Sequence, residues 1–463
     1  MTQLWRLDAA QLVQGYARGD FTPGEALDAC LARLAATKAL NAVIAEDRAG
    51  ATVAAHASEA RWKRGEPLGP LDGIPLTLKD NLHAAGLPTT WGSRLLEGFV
   101  PRDDELPVAR LRAAGAVIFG KTNTPEFAMQ GYTDNHVHGV TRNPWDPRLT
   151  PGGSSGGAAA AVAAGCGPLA LATDGGGSIR RPASYCGLVG FKPSAGRVAR
   201  GGGLPEIFLH FEVPGALGRT VADVHRLVEV VAGEAAATLR PPPAARILYV
   251  PRFGAHPVDP GIASCVSAAA RHLQALGHAI DEAPTFDIAE RVNAAWPTLS
   301  GAGLAWMLKD ASAFAEFGLA AGETPDVSRC MPAIRNGLRE AQASDAAALF
   351  EALAAVHALE RDLAVLFTRS DFILTPAAAA MPWPAEEPWP TRIAGQEVAP
   401  RGHAVFTAFA NAAGLPAIAL PCGVVDGLPV GLHLVAARGQ DAQLLALAAQ
   451  YEHAQPWGDR RPP

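Results

Sequence analysis

The stretch from Thr150 to Gly187, TPGGSSGGAAAAVAAGCGPLALATDGGGSIRRPASYCG, constrains this chain more than any other. Two Gly/Ser clusters, Pro151–Gly157 and Gly175–Ser178, bracket an Ala-rich run, Ala158–Gly165, and a short apolar run, Leu169–Thr173. The order reads as loop, helix, strand, loop. Glycine tolerates positive φ and lets the backbone approach a ligand closely. The first cluster opens a helix, where unsatisfied N–H groups and the macrodipole favour a negative partner. In the second, the consecutive backbone N–H groups of Gly175, Gly176, Gly177 and Ser178 make a candidate anion nest. Serines in both clusters point to acyl transfer rather than to a phosphate cradle. Asp174, Arg180 and the flanking apolar runs are foreign to a flexible linker.

Around this stretch the chain alternates helix and strand. Leu7–Arg18 and Pro23–Ala35 read as amphipathic helices, the first capped by Asp8, the second opened by the capping box Thr22-Pro23-Gly24-Glu25. Ala42–Ala45 is a strand candidate, and an Ala-rich helix follows to about Arg64. Gly73–Leu78 is an apolar run ending in Lys79-Asp80-Asn81, and Val108–Ala114 and Ala116–Gly120 form another helix–strand unit. Gly201–Gly203 marks a loop expected near the substrate entrance. Thr220–Ala232 reads as helix, Ala236–Ala245 as a Pro/Ala-rich connection, Arg246–Val250 as strand and Ala263–Leu276 as helix. Phe286–Phe367 is mostly helical in pattern and carries no chemical motif. Phe372–Leu374, Ala417–Pro421 and Val430–Ala436 are late strands before a final helix from Asp441; Met381–Pro390, with Trp383 and Trp389, is expected to wall a pocket. Such alternation predicts an α/β sheet covered by helices.

Composition narrows the functions. With 49% hydrophobic and 18% charged residues the 463-residue chain is globular with a sizeable core. A net charge of −6 supplies no basic face for nucleic acid or an anionic membrane, and no apolar run approaches the roughly 20 residues that span a bilayer. MTQLWRLDAA lacks the cationic and apolar regions of a secretory signal. The cysteines Cys30, Cys166, Cys186, Cys265, Cys330 and Cys422 are scattered, which favours reduced thiols in a cytoplasmic setting. His136 and His138 alternate without a third ligand, so no metal is expected, and no nucleotide-binding motif implies a cofactor.

The strings GGSSGGAAAAVAAG and LATDGGGSIRRPASYCGLVGFKP resemble the signature of the amidase signature hydrolases, and GIPLTLKDNL (Gly73–Leu82) resembles that family's lysine segment. The likeness continues through KTNTPEF, TRNPWDP and GLPVGLHLV, covering nearly the whole chain from about Leu71. It implies an α/β amidase-signature fold: a central mixed twisted β-sheet covered by α-helices on both faces. It also implies a single domain over 1–463, with an N-terminal helical segment (1–65), a signature core (66–200), and a variable helical region with sheet-completing strands (201–463).

By position, the resemblance puts the family's triad on Lys79, Ser154 and Ser178, with a cis peptide at Gly153–Ser154. A lysine drawn into a low-dielectric pocket loses affinity for its proton and can act as a base near neutral pH. In this scheme Lys79 deprotonates Ser154, Ser154 relays the proton from Ser178, and Ser178 attacks an amide carbonyl. The N–H groups of Gly175, Gly176, Gly177 and Ser178 form the oxyanion hole, and Ser155, Thr173, Asp174 and Arg180 support it. Family position passes the loop Ala128–Thr133 by the acyl site, making Ala128, Gln130 and Tyr132 pocket candidates. The function implied is hydrolysis of a small carboxylic amide to the acid plus ammonia or amine. The partners expected are that small molecule alone, with no nucleic acid or membrane, in a chain of the kind that often forms homodimers. The alternative within the family is the glutaminase component of a glutamyl-tRNA amidotransferase, its A chain, from which Val198–Pro214 and Met381–Pro390 are expected to set this chain apart. Gly152–Gly156 also fits the G-x-S-x-G elbow of α/β-hydrolases, but that elbow needs a strand before it, and Asn143–Pro151, with Pro144, Pro147 and Pro151, cannot be a central strand.

Overall fold

In the computed structural model, which describes residues 3–463 apart from 236, 241, 243, 284 and 310–323, the Gly/Ser clusters lie at the ends of one buried helix–strand pair. The helix Gly156–Ala164 has no exposed residue, and strand Leu169–Asp174 is buried along its whole length. Glycine and alanine make this possible. A Cβ on Gly157 would lie 2.4 Å from the Asn123 backbone nitrogen and 2.6 Å from its oxygen, so the helix starts in direct backbone contact with a neighbouring strand end.

The strands in chain order are β1 (Val43–Glu46), β2 (Pro75–Lys79), β3 (Val117–Thr122), β4 (Leu169–Asp174), β5 (Val189–Lys192), β6 (Val213–Gly218), β7 (Arg246–Tyr249), β8 (Ala279–Glu282), β9 (Phe372–Pro376), β10 (Arg392–Ile393), β11 (Gln396–Glu397), β12 (Ala417–Val425) and β13 (Leu428–Ala436). Eleven of them form one sheet in the order β1-β3-β2-β4-β6-β5-β12-β13-β9-β7-β8, and β10–β11 is a separate hairpin. The sheet is mixed: β2 runs parallel to β3 and β4, β7 runs parallel to β8 and β9, and β6, β5, β12 and β13 join the two groups through antiparallel pairs. Both faces are covered. Successive strand side chains point to opposite faces: Leu169, Leu171, Ile418 and Leu420 join the core under helices Val221–Ala232, Pro260–Ala275 and Asp441–Ala454. Ala170, Ala172 and Ala419 instead meet the Ala-rich helix, and Ile373 and Val435 meet Glu290–Met307, Pro332–Gln342 and Ala346–Leu366.

The expected elements form with small shifts of their ends. Asp8 and Thr22 both make full capping boxes, with Gln11 and Glu25. Strands β5, β6 and β8, the helices Arg180–Cys186 and Ala408–Ala412, and the β10–β11 hairpin form in addition, at places where the sequence pattern does not single them out. Parts of two expected segments, residues 236, 241 and 243 of the Ala236–Ala245 connection and 284 and 310–323 around the Phe286–Phe367 helical region, lie outside the described residues. No helix among the described residues is long and apolar enough to cross a membrane.

Candidate active site

Parallel pairing of β2 with β4 sets the ends of both strands side by side, with Leu78 opposite Leu171. Lys79 at the end of β2 therefore lies beside Thr173 at the end of β4. Its Nζ donates to Ser154 Oγ at 2.7 Å and to Thr173 Oγ1 at 3.0 Å, and the side chain is wholly buried. Burial pushes the Lys79 pKa down to about 8, against the opposing pull of Glu212 and Asp174, while Arg200 adds to the lowering. Lys121, also buried, holds the loop after Lys79 through the Leu82 carbonyl, Thr89 Oγ1 and the Asp80 carboxylate.

The peptide Gly153–Ser154 is cis. Ser155 N donates to the Ser178 carbonyl and Ser155 Oγ to the Thr173 carbonyl, both at 3.1 Å, so the two serine loops are fastened to each other and to β4. Ser178 lies at the floor of a cavity of about 590 Å³, and its hydroxyl makes no hydrogen bond among the described residues. A cavity of about 890 Å³ between helices Glu290–Met307 and Pro332–Gln342 is larger but holds none of the expected site residues.

Asp174 and Arg180 form a buried ion pair, Nη2 to Oδ1 at 2.8 Å and Nε to Oδ2 at 2.9 Å. Burial alone would raise the Asp174 carboxyl, yet the Arg180 guanidinium holds it well below the usual carboxylate range. Asp174 also shapes the glycine loop. Its Oδ1 accepts from Gly177 N at 2.6 Å and its Oδ2 from Ile179 N at 3.0 Å, with Gly177 at φ +108°. The Gly177 N–H is thus turned toward Asp174, at odds with its expected place in the oxyanion hole, while the N–H groups of Gly175, Gly176 and Ser178 have no partner among the described residues.

Of the pocket candidates, Ala128 and Gln130 line the cavity, together with Met129 and Gly131. Tyr132 does not. Its ring is buried with Tyr185, Ala378 and Trp383, and its backbone packs against Gly153. Trp389 and Pro388 line the cavity, whereas Trp383 stands behind it, its ring centre 4.7 Å from that of His403 with the two planes tilted by 57°. The Gly201–Gly203 loop packs elsewhere, with the Gly201 carbonyl accepting from Leu106 N and Gly202 O against His83; Phe208 and Glu212 reach the cavity instead. His138 contacts Thr90 Oγ1 at 3.0 Å.

Sequence reasoning missed the residues that arrive from far along the chain. Asn81 donates to Thr173 Oγ1, and Thr407 and Arg181 both donate to the Gly176 carbonyl. Asn411 and His433 close around Arg180, and Trp296 and Arg401 wall the cavity. Asn81 and Arg181 did have a local signal, their places in the LKDNL and SIRRP strings.

The Amidase family profile matches residues 25–445. The A component of the glutamyl-tRNA(Gln) amidotransferase of Chloroflexus aurantiacus is 35% identical over 100% of this chain and 99% of its own length. Its counterpart in Symbiobacterium thermophilum is 36% identical over 98% of each. A solved amidase structure shares 32% identity with a TM-score of 0.87, covering 96% of this chain and 99% of that one. A bacterial aryl acylamidase of the amidase signature enzymes shares 26% with a TM-score of 0.86, covering 97% and 96%. These relatives overturn the expectation of a small amide as sole partner, with no nucleic acid: they are named as one subunit of an enzyme whose name specifies a tRNA. Net charge could not reveal this, because it averages a whole surface. The chain belongs to the amidase signature family and is an amidase-type hydrolase acting on carbon–nitrogen bonds.

Proposed function

We propose that the chain cleaves a carboxylic amide through an acyl-enzyme on Ser178. The observation that carries this is Lys79, wholly buried, with Nζ 2.7 Å from Ser154 Oγ and a pKa of about 8. A hydroxyl is a weak nucleophile until a base takes its proton. Neutral Lys79 accepts the Ser154 proton as Ser154 accepts that of Ser178, and Ser178 Oγ bonds to the amide carbon. The oxyanion is held by the N–H groups of Gly175, Gly176 and Ser178; one such donor is worth about 2.7–4 kcal/mol. Collapse breaks the C–N bond, the amine leaves with a proton returned through Ser154, and water releases the acid by the same route. Residues 66–200 supply the reacting groups and 201–463 the clamp around them, so the chain acts as one catalytic unit.

For the substrate, the two relatives favour glutamine, hydrolysed within an amidotransferase assembly. A second reading, a larger amide, is favoured by the aromatic cavity wall of Phe208, Trp296 and Trp389. The test is an amide panel with and without candidate companion subunits, comparing glutamine, short and aromatic primary amides, anilides and dipeptide amides in the wild type and Ser178→Ala. Turnover that survives Ser178→Ala refutes the mechanism; glutamine turnover only on addition of a companion supports the reading as one component of an assembly.

A further inference from the structure

The cavity that holds Ser178 carries two guanidiniums with no carboxylate bound to either among the described residues; Asp174 opposes the charge of Arg181 from a distance. Arg401 and Arg181 both line it, and neither forms an ion pair among the described residues. Arg401 is half-buried, with its guanidinium 5.9 Å from the Trp296 ring centre, and its Nη2 is shielded from solvent with no hydrogen-bond partner among the described residues. Arg181 is 4% exposed; it spends Nη1 and Nη2 on the carbonyls of Gly176 and Gly153 and on Thr407, and its Nε has no partner among the described residues. Neutral acceptors take up its Nη donors but leave its charge in place.

The cavity's own carboxylates do not balance this pair. Glu212 is bound to Arg200 at 2.9 Å and to Asn81 at 3.3 Å, and Glu340 sits exposed on the rim. The two guanidiniums repel: burial first, then Arg181, lowers the Arg401 pKa to about 9, which still leaves it charged at neutral pH. A buried charge is costly unless it is paired, and guanidinium matches carboxylate geometry in two parallel hydrogen bonds. Trp296 sets the spacing. Its Nε1 stands 3.2 Å from where a Gly176 Cβ would be, and its ring faces Arg401, so Arg401 lies one indole away from the oxyanion donors.

We propose that Arg401 anchors a carboxylate on the acyl half of the amide, so that the substrates are monoamides of acids bearing a second carboxyl group. The proposal rests on Ser178 being the nucleophile. Two sources share this chemistry, the α-carboxylate of an amino acid amide such as glutamine and the far carboxylate of a plain dicarboxylic monoamide. Trp296 and Phe208 then flank the carbons between the two ends.

The experiment compares glutamine, glutaramate and pentanamide on the wild type and on Arg401→Met and Arg401→Lys, with added companion subunits if the chain alone is silent. It also measures how far glutarate slows labelling of Ser178 by a fluorophosphonate. The wild type is expected to prefer glutaramate or glutamine over pentanamide, and Arg401→Met to lower that preference about 10- to 150-fold, the worth of a charge-assisted hydrogen bond. Arg401→Lys restores part of it, and glutarate protects Ser178 in the wild type but not in Arg401→Met. Preference for glutamine assigns the carboxylate to an amino acid, and preference for glutaramate to a dicarboxylic monoamide. Fluorophosphonate labelling of Ser178 without carboxylate preference and without glutarate protection overturns the anchor and leaves the serine mechanism standing. Absence of Ser178 labelling overturns both.

Discussion

Titrating kcat/KM tests the role of Lys79 directly, because its environment fixes where the acid limb must fall. Burial lowers its pKa to about 8. Only the neutral amine accepts a proton, so kcat/KM falls tenfold per pH unit below that value and levels above it; between about pH 9 and about pH 6 the neutral fraction drops roughly 90-fold. Glu212 raises this pKa, so Glu212→Gln moves the limb to lower pH. In Lys79→Met the limb disappears and activity falls by about 10²–10⁴, the usual worth of a positioned base. The assay is amine or ammonia release at substrate well below KM, at constant ionic strength, from about pH 6 to about pH 10. A limb centred near the ordinary histidine value, about 6.5, or one that persists in Lys79→Met, would refute the assignment of Lys79 as base.

Two further substitutions probe the frame. Arg180→Met strands the Asp174 carboxylate among buried groups and is expected to cost about 3–5 kcal/mol in denaturant unfolding; an unchanged midpoint would mean the pair adds nothing. Because the folded Asp174 pKa lies below its unfolded value, its contribution is present above about pH 4 and is lost as pH falls, so wild type and Arg180→Met should converge in strong acid. Gly157→Ala drives a methyl into the Asn123 backbone and is expected to destabilise by at least about 1–3 kcal/mol, and wild-type stability in a thermal melt would show that the helix can shift away.

What the sequence exposed was what is written locally. Lys79, Ser154 and Ser178 stand out only because their strings resemble a family signature, whereas Thr22 and Glu25 announce a helix start three residues apart by themselves. What it hid depends on distance or on direction. Trp296, Arg401 and Asn411 look like ordinary helix or loop residues until the fold brings them to Gly176 and Arg180. Strand β6, VPGALG, reads as a loop because Pro214 and two glycines break every periodic signal; it is a strand only because β4 and β5 pair with both its edges. The Gly177 N–H failed as an oxyanion donor for a different reason: a string of glycines does not say which way each amide turns, and Asp174 decides it.

The order of strands also has a consequence for how the enzyme is made. β5 lies between β6 and β12, and the residues that close around Arg180 and the Gly176 carbonyl are Thr407, Asn411 and His433. A nascent chain that has just left the ribosome as far as Gly187 already carries the lysine and both serines, yet it lacks the neighbours that fix them. Pairing between segments so far apart is slow and comes late in folding. Under the proposed mechanism activity is expected only near the end of synthesis, and a chain stopped before Thr407 is expected to be inert although Lys79, Ser154 and Ser178 are all present.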